Sequence, residues 1–263
     1  MGNAFFQNKL RETVESGRIA FGIQLRSCSK RIAEMIGYYG FDFIYLETEH
    51  FVCTDETMED IFRAAELSGC TPIVRLSDNL PGHISQVVEA GAKGVIIPHV
   101  ETAEDAAMIV RAVKFPPLGT RSGTKARFSG YGVVPAKEVR EKANRAVLAI
   151  AMIESKRGID NLDAILETGI DMIRIGFNDL SQDLGYPGNV YHEEVLLAAD
   201  RIIRIAQKHR VPVGAKSETM EEARMLAKRG ITHFSLGSDL SILAKSFSCL
   251  KRDCTALNEE TKE

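Results

Sequence analysis

Residues 65–75 read AELSGCTPIVR: the end of an amphipathic stretch, a glycine, then a short apolar run that closes on a charge. The same order returns in VEAGAKGVII at 88–97 and in LAKRGITHFSL at 226–236. Glycine after a helix takes up the left-handed C-cap conformation without a Cβ penalty, so each copy marks a helix handing over to a strand. Outward from these copies, short Val- and Ile-rich runs recur: IAFGIQL (19–25), FDFIYLE (41–47), TPIVRL (71–76), KGVIIPHV (93–100), AVLAIAMIE (146–154), DMIRIGF (171–177), VPVGAK (211–216) and THFSLG (232–237). Segments with helical spacing, such as MEDIFRAAELSG (58–69) and EEARMLAKRG (221–230), separate them. Apolar strands alternating with amphipathic helices imply a parallel sheet covered on its outer side. Eight such strands make an α/β protein of the (β/α)8 TIM-barrel type.

Length and composition fit that reading. A chain of 263 residues can form one large barrel or two ordinary domains. No Pro-, Gly- or Ser-rich linker and no block of like charge divides it, which predicts a single domain over 1–263. The formal charge of −3 is spread evenly, so a nucleic-acid partner finds no basic stripe. The apolar runs fall far short of the roughly 20 residues that span a bilayer. The N-terminus MGNAFFQNKLRETVESGR lacks a signal-peptide core, and Phe6 stands where a myristoylation signal takes Ser or Thr. A cytoplasmic location is therefore expected. The five cysteines, at 28, 53, 70, 249 and 254, form no CxxC pair and are expected as free thiols. Cys53 follows His50 by three residues, yet a helix start suits it better than a nucleophilic role.

Four charged or titratable groups sit where apolar runs end: His50 closing YLETEH, Arg75 closing PIVR, Glu154 closing LAIAMIE, and Asp179 after DMIRIGFN. If the runs are parallel strands of one barrel, all four reach the same rim, where such folds keep their chemistry. Glu154 and Asp179 can share a hard divalent cation and leave it open to waters and substrate oxygens. An open cation with oxygen ligands suits a 2-oxo acid, which chelates through carboxylate and ketone, and polarising the ketone stabilises an enolate. Arg75 can donate to the enolate oxygen, and a histidine with an ordinary pKa near 6.5 can move the proton.

One segment breaks the rhythm. KFPPLGTRSGTKARFSGYGVVPAKEVREKANR, residues 114–145, is longer than the other crossovers. Loops of that size are usually functional, and this one is expected to leave the end of the fourth strand on the rim. Its Arg121, Lys125 and Arg127 then hold an anionic substrate, or the segment is a solvated excursion.

The ordered motifs YLETEH (45–50), PIVRLSDN (72–79), GVIIPHVETAEDA (94–106), KFPPLGTRS (114–122), AMIES (151–155) and IGFNDLSQDLGYPGN (175–189) resemble the HpcH/HpaI family of class II pyruvate aldolases. The resemblance runs from about residue 20 to 245. It implies a metal-dependent TIM barrel that cleaves a 2-oxo-4-hydroxy acid to pyruvate and an aldehyde, in aromatic or sugar acid catabolism. It also implies a homohexamer, a trimer of dimers, with the last helix swapped between partners. By the same resemblance His50 matches the base, Arg75 the residue that steadies the enolate, and Glu154 with Asp179 the ligands of Mg2+ or Mn2+, Co2+ being admissible. The backbone N–H groups of Asn178 and Asp179, after Gly176, would receive the pyruvate carboxylate. Glu89 matches an acidic position that raises the basicity of the histidine across a subunit interface.

The chain departs from that pattern at several positions. Met152 stands where the family commonly has Gln, so one polar substrate contact is missing. Glu47 and Glu89 are one methylene longer than the usual Asp, and Phe177 replaces a small residue or Pro. These departures leave open a related carbon–carbon lyase acting on oxaloacetate or a citrate-like acid, and a non-catalytic barrel that binds a 2-oxo acid. Lys216 after VPVGA is the alternative of Schiff-base chemistry. SLGSD (235–239) reads as a phosphate-binding turn or as the cap of the last helix, and His99 and His233 are candidates to line the site.

Overall fold

A computed structural model describes residues 6–260, so Met1–Phe5, where a myristoylation signal would begin, lie outside the described residues. Eight parallel strands close on one another in chain order: β1 Ala20–Leu25, β2 Phe43–Glu47, β3 Thr71–Arg75, β4 Gly94–Ile97, β5 Leu148–Ile153, β6 Met172–Ile175, β7 Val213–Ser217 and β8 His233–Ser238. The helices before β5 are α1 Lys9–Glu15, α2 Lys30–Tyr38, α3 Asp55–Leu67, α4 Pro81–Ala90, α5 Ala103–Val113 and α6 Ala136–Ala146. After β5 come α7 Lys156–Asp160, α8 Leu162–Glu167, α9 Phe177–Asp183, α10 Glu193–Lys208, α11 Met220–Arg229 and α12 Asp239–Glu260. The (β/α)8 barrel read from the alternating runs is the observed fold. Gly69, Gly91 and Gly230, the three glycines of the repeated handover, have φ of 79°, 125° and 116°, the region their missing side chains open.

Alternation along each strand divides the core in two. Ile44, Leu46, Val74, Val95, Ala149, Ile173 and Ala215 face outward onto the helices and form the larger cluster. Phe43, Tyr45, Ile73, Ile96, Leu148, Ile150, Met152 and Met172 face the barrel axis. Leu10 of α1 joins that inner cluster, and the Asn8 side chain donates to the Lys93 and Ala146 carbonyls at 3.0 and 2.6 Å, so α1 closes the end of the barrel where strands begin. No helix among the described residues is long and apolar enough to cross a membrane.

The long segment after α5 is placed otherwise than expected. Because α5 follows β4 before residues 114–145 begin, the segment returns to the start of β5 and lies at the end opposite the rim. Its first residue shows this: the Lys114 ammonium reaches the Val147 carbonyl at 2.7 Å and the Asp171 carboxylate at 2.7 Å, both just ahead of strands. Arg121 is buried with its guanidinium 4.6 Å from the Phe115 ring and 4.1 Å from the Phe128 ring, and Arg127 pairs with Glu66. Neither they nor Lys125 reach the rim cavity described below. All five cysteines are free, and burial, helped by Cys28, pushes the Cys53 thiol up to about 12, as befits an inert residue one position ahead of the α3 cap Thr54.

Inside the barrel, side chains fit because particular positions lack them. A Cβ on Gly22 would lie 2.3 Å from the Phe43 carbonyl oxygen and 2.5 Å from its ring. Gly22→Ala should therefore cost roughly 1–3 kcal/mol by overpacking, seen as a lower urea midpoint with an unchanged slope. A midpoint equal to wild type would show that the inner core has slack there.

Candidate functional site

The strand ends open into a cavity of about 290 Å3 lined by His50, Arg75, Met152, Glu154, Gly176, Asn178 and Asp179, among others. Arg75 is the last residue of β3 and sits in register beside Glu47, the last of β2. Its Nη2 lies 2.5 Å from Glu47 Oε2 and its Nη1 2.8 Å from Glu49 Oε2. Glu47 is fully buried, and its oxygens also accept from the Gln24 amide at 2.8 Å and the Glu49 backbone N–H at 2.9 Å. Burial works against the Arg75 cation, but Tyr45, Glu47 and Glu49 together hold its pKa above the ordinary arginine value. The guanidinium is thus fixed in direction and always charged.

Glu154 follows β5 and is 3% exposed. Its Oε1 accepts from the His99 backbone N–H at 2.7 Å and lies 3.0 Å from His99 Nδ1. Its Oε2 is buried without a protein partner. Burial pushes the Glu154 carboxyl up to about 7; His99 and Arg75 oppose the rise and Asp179 adds to it. A Cβ on Gly176 would come within 2.2 Å of Oε2, so glycine there keeps room beside that oxygen. Asp179, in the first turn of α9, is exposed toward the cavity. Among the described residues no group of three or more His, Cys, Asp and Glu side chains is arranged to hold a metal ion. The pair nevertheless fits a divalent cation. An orphaned buried carboxylate oxygen beside a second carboxylate is a hard donor set, and a cation would relieve both the lost hydration and the repulsion.

His50 stands on the loop after β2, with its side chain 61% exposed and Nε2 3.8 Å from Glu49 Oε2. Met152 faces the axis and offers its sulfur to Arg75 Nη1 at 3.7 Å. Phe177 is buried against Tyr191, their ring centroids 6.2 Å apart. Glu89 is not brought to this cavity. It lies near the end of α4 in a separate hollow with Asp55, Arg127 and Tyr131. Lys216 does line the rim cavity, but it is ion-paired to Glu218 at 2.5 Å and partly exposed, without the apolar burial a Schiff-base lysine wants. His99 joins the site through Glu154 and also approaches Glu49 Oε1 at 3.4 Å. His233 is buried at the start of β8, away from the rim, where burial and then Arg174 hold it far below the ordinary histidine value. In SLGSD the Asp239 carboxylate accepts from the Arg26 and Ser27 N–H groups at 2.9 and 3.1 Å, so the motif ties the start of α12 to the loop after β1.

Gln24, Glu49 and Arg174 are among the lining or supporting residues that the sequence motifs did not single out, as are Arg26, Tyr191, Glu218 and Glu222. Each of the first three had a signal. Gln24 and Arg174 are polar residues inside apolar runs, at inward positions, and Glu49 is the acid next to His50 in YLETEH.

Residues 21–246 match the sequence model described as HpcH/HpaI aldolase/citrate lyase. The chain is 33% identical over 248 residues to the 5-keto-4-deoxy-D-glucarate aldolase of Salmonella paratyphi A, covering 94% of this chain and 96% of that one. Among solved structures it is similar to a HpcH/HpaI aldolase/citrate lyase family protein from Burkholderia cenocepacia, with a TM-score of 0.87, 25% identity, and 95% and 100% of the two chains covered. It is also similar to the citrate synthase SbnG, with a TM-score of 0.85, 30% identity, and 98% and 100% covered.

The raised Glu154 carboxyl gives a pH signature. With a folded pKa near 7, above that of the unfolded chain, the cation-free protein holds a proton the unfolded chain has released. It therefore loses stability as pH rises from the ordinary carboxylate range through 7. Cation binding runs the other way, since the proton must leave first. Affinity for Mg2+ or Mn2+ measured by calorimetry should rise by up to about tenfold per pH unit toward 7 and level off above it. Glu154→Gln should abolish both binding and slope; a flat profile in the wild type would contradict the assignment.

Proposed function

We propose that this chain, a carbon–carbon lyase belonging to the HpcH/HpaI aldolase/citrate lyase family, reversibly cleaves a 2-oxo-4-hydroxy acid to pyruvate and an aldehyde with the help of a divalent metal ion. The observation that carries the reading is the meeting of Arg75, Glu154, Asp179 and His50 in one rim cavity. Glu154 and Asp179 would hold Mg2+ or Mn2+, which when bound supplies Lewis-acid polarisation of the substrate ketone, worth several kcal/mol. The backbone N–H groups of Asn178 and Asp179, after Gly176, orient the substrate carboxylate. Arg75, locked between Glu47 and Glu49, donates to the oxygen on which enolate charge gathers, so little reorganisation is needed at the moment of reaction.

His50 takes the proton of the substrate 4-hydroxyl as the C3–C4 bond breaks, releasing the aldehyde and leaving the enolate, which becomes pyruvate on protonation at C3. Its exposure supports this role, because protons can exchange with water between the two steps. Glu89 lines a hollow separate from the cavity that holds His50, so a role in raising the basicity of the histidine falls to the Glu89 of a second copy. The surface of α12 supports such a homo-oligomer. Phe247, Leu250 and Leu257 are exposed on it, as a helix swapped between partners of a hexamer would have them before assembly. In this reading residues 1–263 act as one domain.

A second reading is favoured by Met152 in the cavity and by the 30% identity to a citrate synthase: carbon–carbon chemistry on oxaloacetate or a citrate-like acid. Product analysis with oxaloacetate separates the two.

Pyruvate methyl protons should exchange with D2O in the Mn2+-loaded protein, followed by proton NMR. His50→Ala should slow the exchange by about 10²–10⁴, the usual worth of a positioned base. Arg75→Ala is the poorer probe, since it strips buried Glu47 of its partner. Exchange that persists unchanged in His50→Ala, or after full chelation, would sink the mechanism.

A further inference from the structure

One cation inside the barrel has no carboxylate to neutralise it. Arg174 lies on β6, faces the axis and is 1% exposed. Its Nη2 donates to Ser235 Oγ at 2.9 Å, and its Cζ lies 5.1 Å from the centroid of the Tyr45 ring. Nη1 is buried with no partner. The residue in register beside it on β5 is Met152, whose thioether is only a weak acceptor. On the other side stands Gly214, which has no side chain to offer. A guanidinium kept out of water with one fork unsatisfied costs several kcal/mol, and an apolar residue of similar size would not. Burial pulls its pKa down to about 10, with Tyr45 opposing and Arg75 adding, so the group stays charged at neutral pH.

Arg174 lines the same cavity as Arg75, Glu154 and Asp179. We infer that Arg174 is the receptor for a second carboxylate of the substrate, reached from the floor of the cavity, and that it makes this site select 2-oxo dicarboxylates over 2-oxo monocarboxylates. The inference rests on the 2-oxo-acid reading above and deepens it. In that reading the first carboxylate is taken by the N–H groups of Asn178 and Asp179, and the ketone oxygen by the metal pair and Arg75. Among the described residues Arg174 is then the one buried cation in the pocket without an ion pair; Arg26, which also lines it, is half-buried and lies over the Phe51 ring, 5.3 Å from its centroid. A planar guanidinium with one edge anchored on a hydroxyl and one free nitrogen presents a charge-assisted donor to a carboxylate. The Tyr45 ring beneath it holds the plane in place.

Calorimetric affinities of the full-length wild type, Arg174→Met and Arg174→Lys for pyruvate, oxaloacetate and malonate, all with Mg2+ present, test the assignment. Arg174→Met should weaken oxaloacetate and malonate by about 10- to 100-fold, the worth of a hydrogen bond to a charged group. Pyruvate should change by less than about threefold, and Arg174→Lys should recover part of the loss. The unliganded Arg174→Met protein should melt no lower than wild type, since it exchanges an unpaired buried charge for an apolar side chain. Equal losses for all three acids, or no loss for any, would overturn the assignment; if Arg174→Met does not fold, the oxaloacetate-to-pyruvate ratio of Arg174→Lys decides it on the same terms. A wild type that binds neither 2-oxo acid, but holds malonate through Arg174, would refute the functional reading and keep the anion site.

Discussion

Glu154 carries two oxygens into the mouth of the barrel, and the fold satisfies one of them. Oε1 is held by the His99 backbone N–H, while Oε2 is out of water with nothing to accept from, in a space that Gly176 keeps open. A protein that needed only to be stable would protonate such a group or replace it, because an unpaired buried charge is expensive. The raised Glu154 carboxyl shows the first of these pressures at work. The rest of the site is arranged around the same expense. Glu47, equally buried, is matched by Arg75 and Gln24, whereas Arg174 is anchored on one side only. Glu47 is paired within the chain, whereas Glu154 Oε2 and Arg174 Nη1 are buried without a partner.

Barrel closure makes this arrangement possible. Parallel strands all finish at one end, so Glu47 and Arg75, the last residues of β2 and β3, converge with Glu154 just after β5 although far apart in sequence. The buried strands cannot shift without opening the inner core, where Gly22 already admits the Phe43 carbonyl and ring with no room for a methyl. His50 is the exception. It stands on a loop, is largely exposed and meets Glu49 only at 3.8 Å. Electrostatics fixed on strands and an exposed imidazole at the rim suit a reaction in which charge develops at a fixed place while a proton comes and goes.

The barrel, and the placing of Glu154 and Asp179 at its rim, were legible in the sequence because the pattern of strands is periodic. Apolar runs alternating with helices announce parallel strands, and a charge at the end of such a run falls on the rim. What lay beyond reach was anything fixed by contacts across the fold. The long 114–145 segment was expected on the rim, and its distance from the rim follows from α5 intervening after β4, a boundary its length did not reveal. Arg121, expected to hold an anion, is stacked between Phe115 and Phe128 instead, a partnership that spacing alone does not predict. Gln24 and Arg174 were visible as polar residues within apolar runs, but their meaning depends on which way each strand turns its side chains. Glu89 lines a hollow separate from the one that holds His50, a placement that depends on how α4 packs against its neighbours.

The central claim is that Glu154 and Asp179 bind a cation over which a 2-oxo acid lies between Arg75 and the start of α9. A crystal structure with Mn2+ and pyruvate, collected at the manganese absorption edge, tests it directly. The account predicts an anomalous peak beside Glu154 Oε2 and Asp179, with the pyruvate ketone facing Arg75 and its carboxylate on the Asn178 and Asp179 N–H groups. A peak elsewhere, or pyruvate seated in the barrel mouth with no metal at Glu154, would contradict it.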